Sequence, residues 1–147
     1  MGLQDDISAR LLSAMKSRDA VQTGTLRLLI AAFRNEEIKR GKSLDEAAAM
    51  DVIQSEAKRR RESISEYKKA GRDDLAAKEE GELAVLQTYL PELLSENELQ
   101  NLIDKAIQST GAKGPQDMGR VMGALMPQIK GRADGRQTQQ LVQKKLS

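Results

Sequence analysis

The stretch MGRVMGALMPQIKGRADG, from Met118 to Gly135, packs four of the chain's eleven glycines and three of its six methionines around Pro127, with Arg120, Lys130 and Arg132. Met118, Met122 and Met126 recur at i, i+4 and i+8, and Val121, Leu125 and Ile129 fall beside them. That spacing predicts a helix with one apolar face, whose methionines read as core. Pro127 lacks an N–H and crowds the carbonyl of Gly123, so a kink is expected there. Gly119 and Gly123 share another line on the same helix, where another backbone or a flat ligand can come close. Gly131 suits the left-handed position that ends a helix, and Asp134 suits the N-cap of the next. The stretch is therefore a helix, a short basic turn and a second helix. Such a turn either joins two helices and nothing more, or holds cations and free N–H groups near an anion.

Working outward, the 147 residues suffice for one domain or two small ones with a real core. Aromatics make up 2%, so the core is built from Leu, Ile, Val, Met and Ala, as in helical bundles. Helices are read from Leu3 to about Lys16, from about Val21 to Arg40 ending at Gly41, and from a Ser43–Glu46 capping box to about Ala70. The seam of this third helix contains Arg60, which should snorkel or pair with a carboxylate of the next helix. A fourth helix, capped by Asp73, runs to Pro91, and the span from Pro91 to Leu94 is a candidate hinge. Ser95 and Glu98 form another capping box for a fifth helix that stops near Gly111, and Gly114-Pro115 opens the sixth. The expected fold is all-α: a long-helix hairpin bundle over residues 1–91 and a small three-helix module over 92–147.

The charge is uneven. Net charge is +2, but from Gly111 onward Lys113, Arg120, Lys130, Arg132, Arg136, Lys144 and Lys145 face only Asp117 and Asp134. This excess of cations coincides with the glycine-rich turn and fits an anion-binding surface and a merely solvated one equally well. The run Lys58-Arg59-Arg60-Arg61 points four ways on a helix and is interleaved with Glu62 and Glu66, so it reads as a solvated face. Scarce aromatics count against single-strand RNA recognition by stacking and permit recognition of a folded RNA by shape and phosphates.

Catalysis finds few residues. The chain contains no cysteine and no histidine, which removes disulfides, thiolate metal sites and the common nucleophile–base pairs. No phosphate-binding glycine loop and no metal-ligand cluster is apparent, so no metal and no cofactor is expected. No apolar run approaches a membrane span and the N-terminus has no signal-like block, so the expectation is a cytoplasmic protein with no membrane partner.

GRVMGALMPQIKGRADG, with the following segment ending in KKL, resembles the C-terminal signature of the GatB/YqeY family, which includes the tail of the GatB subunit of aspartyl/glutamyl-tRNA amidotransferase and free-standing YqeY proteins. RNEEI (Arg34–Ile38), RRRESISEYKKAGRDDL (Arg59–Leu75) and YLPELLSENEL (Tyr89–Leu99) are similar to YqeY proteins as well. The resemblance implies an accessory protein that binds tRNA or aminoacyl-tRNA, since the matching tail of the amidotransferase engages tRNA. By family it also implies a carbon–nitrogen ligase with glutamine as amide donor, but neither the kinase-like region nor an amidase Ser-Ser-Lys arrangement is in this chain. The expected RNA contacts are Lys113, Arg120, Lys130, Arg132 and Arg136, with Gly119, Gly123 and Gly131 as close-approach positions. The alternative is an adaptor or homo-oligomer built on the long helices, with a synthetase or amidotransferase as a possible partner class.

Overall fold

The computed structural model describes residues 2–147, and among them every regular element is helical. The helices are α1 (Leu3–Lys16), α2 (Ala20–Arg40), α3 (Glu46–Lys69), α4 (Asp73–Gln87), α5 (Glu96–Thr110), α6 (Met118–Ile129) and α7 (Gly135–Leu146), with a 3₁₀ turn over Pro115–Asp117 before α6. The all-α class read from the sequence is the observed one. The chain divides into two compact units, one ending at Leu90 and the other Pro91–Ser147.

In the first unit α3 and α4 form a hairpin, and α1 and α2 a second one. Ile7, Leu26, Leu29, Phe33, Ile53, Ala57 and Leu86 share its core. The start of α3 differs from the sequence reading. Asp45, not Ser43, caps it, accepting the Ala48 N–H at 2.7 Å. Starting there buries Leu44 just outside the helix and Ala49 one turn in, the arrangement of a hydrophobic staple. Glu46 is thereby released from the capping box, and its carboxylate takes the Leu3 N–H at 3.0 Å, an orphan donor in the first turn of α1. Likewise Asp73 is the first residue of α4 rather than its cap, and it makes the first turn acidic. At its other end α4 stops at Gln87, and Thr88, Tyr89 and Leu90 follow in i−3 turns. Leu90 precedes Pro91 and is disfavoured in the α region, so the helix unwinds before the proline.

Arg60 stands in the α3 seam with its side chain only 13% exposed. It reaches Glu82 at 3.2 Å and Glu79 at 3.6 Å on α4, and Glu56 at 3.5 Å on its own helix. Burial pushes the Glu79 carboxyl above its ordinary range, and neighbouring Glu82 adds to this. Elsewhere in this basic run the exposed Arg59 pairs with Glu56 at 3.4 Å, and Arg61 donates to the Gln87 side-chain carbonyl at 3.0 Å.

The second unit packs α5, α6 and α7 around Leu99, Ile103, Val121, Leu125, Ile129 and Val142. Ser95 caps α5 through the Glu98 N–H at 3.1 Å, and the Glu98 carboxylate returns to the Ser95 N–H at 3.4 Å. On α6 the buried line is Val121, Leu125 and Ile129; Met118 and Met122 are half-buried, and Met126 is exposed. The methionines thus border the core instead of filling it.

Candidate nucleic-acid interface

Gly131 has φ 76°, the left-handed conformation that ends α6. The N–H groups of Arg132 and Ala133 bond back to the Ile129 carbonyl at 2.8 and 3.1 Å, closing the turn. Asp134 then caps α7, accepting the Arg136 N–H at 2.8 Å and the Gln137 N–H at 3.4 Å. One turn on, the buried Thr138 hydroxyl donates to the Asp134 carbonyl at 2.7 Å, so no polar atom is stranded where α7 enters the core.

The five cations read from the sequence do not form one patch. Lys113 and Arg120 gather on Asp117 before α6: the Lys113 N–H donates to it at 2.9 Å, and the Arg120 guanidinium at 2.7 Å. These two donors, the backbone one first, hold the Asp117 carboxyl below its ordinary range. Lys130, Arg132 and Arg136 lie around the turn at the other end of α6. From Arg120 to Lys130 is about 15 Å along the axis at 1.5 Å per residue. In the sequence Asp117 reads only as an opposing charge; its offset of three to Arg120 was the available signal, whereas the Lys113 contact is made by a backbone N–H between helices.

Arg132 is also more structural than expected. It is half-buried, its Nε donates to the Glu92 carbonyl at 3.1 Å, and its own carbonyl accepts the Leu94 N–H at 2.8 Å. It pins the segment entering this unit, and only part of its guanidinium is left for a ligand. Lys113, Arg120, Lys130 and Arg136 are exposed. In the last turn of α7, Lys145 pairs with Asp104 of α5.

Gly119, next to Arg120, and Gly123, one turn further along α6, are both exposed. A Cβ built at either would meet no atom within 4 Å. Helix packing within this unit therefore does not require glycine at either position. With Met126 they make a smooth strip at i, i+4 and i+7 along α6. The turn's N–H groups at Arg132, Ala133, Arg136 and Gln137 are all satisfied within the protein, contrary to the free donors the sequence suggested, so what this face offers a ligand is exposed cations and a bare strip of backbone. Among the described residues no group of His, Cys, Asp and Glu could hold a metal ion.

Comparison with known proteins adds the lineage. The profile of the family described as Yqey-like protein matches residues 4–146. The protein named altered inheritance of mitochondria protein 41, mitochondrial, of Pyrenophora tritici-repentis is 33% identical over 129 residues, 86% of this chain and 71% of that protein. Its namesake in Saccharomyces cerevisiae is 32% identical over 122 residues, 78% of this chain and 65% of that protein. That of Eremothecium gossypii is 40% identical over 84 residues, covering 56% and 46%. The chain thus spans about two thirds of the length of the first two relatives. These names overturn the cytoplasmic expectation, because the relatives are named as mitochondrial proteins. That expectation rested on the lack of a membrane-length apolar run and of a signal-like N-terminal block; the first lack, which holds for the helices of the described residues, does not tell one compartment from another. With nearly its whole length matched by the family profile, the chain belongs to the YqeY-like protein family.

Proposed function

We propose that the Pro91–Ser147 unit binds a folded RNA, of the tRNA or aminoacyl-tRNA class, and that the protein is an accessory RNA binder. The observation that carries this reading is the pair of open glycines, Gly119 and Gly123, on the exposed side of a helix with cations at both ends. Glycine inside an exposed helix costs about 1 kcal/mol relative to alanine. Packing within the unit gives no return for that cost at Gly123, whereas close approach of a ligand backbone does. Phosphates running along α6 would meet Arg120 and Lys113 at one end and Lys130 and Arg136 at the other. The sequence resemblance to the GatB tail supports tRNA as the class and glutamine-dependent amidation as the neighbouring chemistry.

The test is the Gly123→Ala variant of the full chain. A Cβ there finds open space, so its melting temperature should equal or exceed that of the parent, while affinity for tRNA, followed by fluorescence anisotropy, should fall at least tenfold. Parental affinity in the folded variant would remove the strip from the site.

A further inference from the structure

Helix α2 carries a second surface that the RNA reading leaves unused. Val21, Gly24, Leu28, Ala31, Asn35 and Ile38 follow one another in steps of 3, 4, 3, 4 and 3, and all six are exposed. Val21 and Leu28 are each 51% exposed and Ile38 is 80% exposed. A 3-4 alternation over five helical turns is the seam of a coiled-coil pair, with Asn35 at one seam position as the polar residue that fixes register. Gly24 and Ala31 let a second helix approach closely, and a Cβ at Gly24 would meet nothing within 4 Å. None of these residues is used by the core of its own unit, which takes Leu26, Leu29 and Phe33 from the opposite side of α2.

The surroundings say what fits. Between Ala20 and Lys39 the exposed charges of α2 are Arg27, Arg34 and Lys39, all positive, while Glu36 and Glu37 are half-buried. Arg27 and Arg34 stand one heptad apart on one edge of the seam. Along the other edge runs a groove of about 750 Å³, with Leu28, Ala31 and Asn35 on its α2 wall, Val52 and Ser55 on its α3 wall, and charged side chains of both signs around them. A helix laid on the seam would place one flank over the two arginines and lower the other into the groove. A second copy of this chain fits poorly, because symmetric pairing sets the cationic flanks against each other.

We infer that the seam of α2 docks an amphipathic helix of a partner protein, with an apolar 3-4 seam of its own and a carboxylate-rich flank over Arg27 and Arg34. The proposal is independent of RNA binding, since it rests on other residues in the other unit.

The test uses the full chain and two fluorescent synthetic peptides of three heptads, each with a leucine seam, one flanked by glutamates and the other by lysines. The glutamate peptide should bind at least tenfold more tightly than the lysine peptide, and Leu28→Glu should abolish this binding. The double variant Arg27→Glu, Arg34→Glu should reverse the preference. These side chains are exposed, so circular dichroism should show every variant folded. Equal binding of the two peptides, no binding of either, or a preference that survives the charge reversal would overturn the proposal. Two further outcomes would overturn it by naming a different occupant: self-association removed by Leu28→Glu, which identifies a second copy, or binding of phosphatidylglycerol vesicles without peptide binding, which identifies a lipid surface.

Discussion

Arg132 and Arg136 are four residues apart in one basic turn, yet the structure gives them different tasks. Arg132 holds the Glu92 carbonyl and the Leu94 N–H, whereas the side chain of Arg136 is exposed in the first turn of α7. Arg132→Ala should therefore loosen the entry to the second unit, lowering stability by about 1 kcal/mol for the charge-assisted bond it removes. Arg136→Ala should leave the melting temperature unchanged and weaken only RNA binding. Thermal melts of the two variants, side by side, check the distinction, and an equal loss of stability would refute it. Asp45 makes the same point in the first unit. As the observed cap of α3, its replacement by alanine should cost about 1 kcal/mol, while Ser43→Ala should cost almost nothing. The sequence favours Ser43, which has Glu46 at capping-box spacing. What separated them was the burial of Leu44 and the demand of Leu3 for the Glu46 carboxylate, and neither can be seen without tertiary structure.

Among the elements, the α3–α4 hairpin carries an unusual charge arrangement. Three carboxylates, Glu56, Glu79 and Glu82, surround the one guanidinium of Arg60. Because the folded-state pKa of Glu79 lies above its ordinary 4.5, the native state binds a proton more readily than the unfolded chain. Its ionisation costs stability at neutral pH, and that cost is relieved as pH falls through the raised pKa. Glu79→Gln should therefore melt a few degrees above the parent at pH 7, and the gap should close near pH 4.5. A variant less stable than the parent at pH 7 would show that Glu79 helps the hairpin as an anion. Asp19 and Asp74 act in the opposite sense: hydrogen bonds from the Gln22 N–H and from Arg72, respectively, hold them below 3.8, so their contribution is lost at pH values below that. Helices of this kind were legible because their ends are marked, by Gly41, Gly71, Gly111 and Gly131 in the left-handed region and by Ser95 and Asp134 as caps. The pairing of Arg60 with α4 was legible too, since a guanidinium in an apolar seam must find an acceptor. The seam of α2 was not. Its apolar residues have the same character as those of the core side, and only burial tells the two faces apart.

For the molecule as a whole, each unit has its own core, with Leu26, Ile53 and Leu86 in one and Ile103, Leu125 and Val142 in the other. We expect residues 1–90 and 91–147 to fold when expressed separately, the second only marginally, as its small size implies. Circular dichroism melts of each fragment check this, and a helix-poor C-terminal fragment would contradict it. How the charge is spread over the chain was readable from the sequence, since the cation excess after Gly111 is a matter of counting. Its division by Asp117 and Glu92 into two groups and one structural arginine was not, because it depends on where α6 begins and ends. If these groups neutralise RNA phosphates, the affinity of the full chain for tRNA falls steeply as salt rises. Each phosphate neutralised steepens the plot of log affinity against log salt by roughly 0.7–0.9. We predict that the triple variant Lys113→Ala, Arg120→Ala, Arg136→Ala keeps its fold and binds tRNA with a slope shallower by about 2 to 3; an unchanged slope, or tRNA binding insensitive to salt in the parent chain, would show that these cations do not neutralise RNA phosphates.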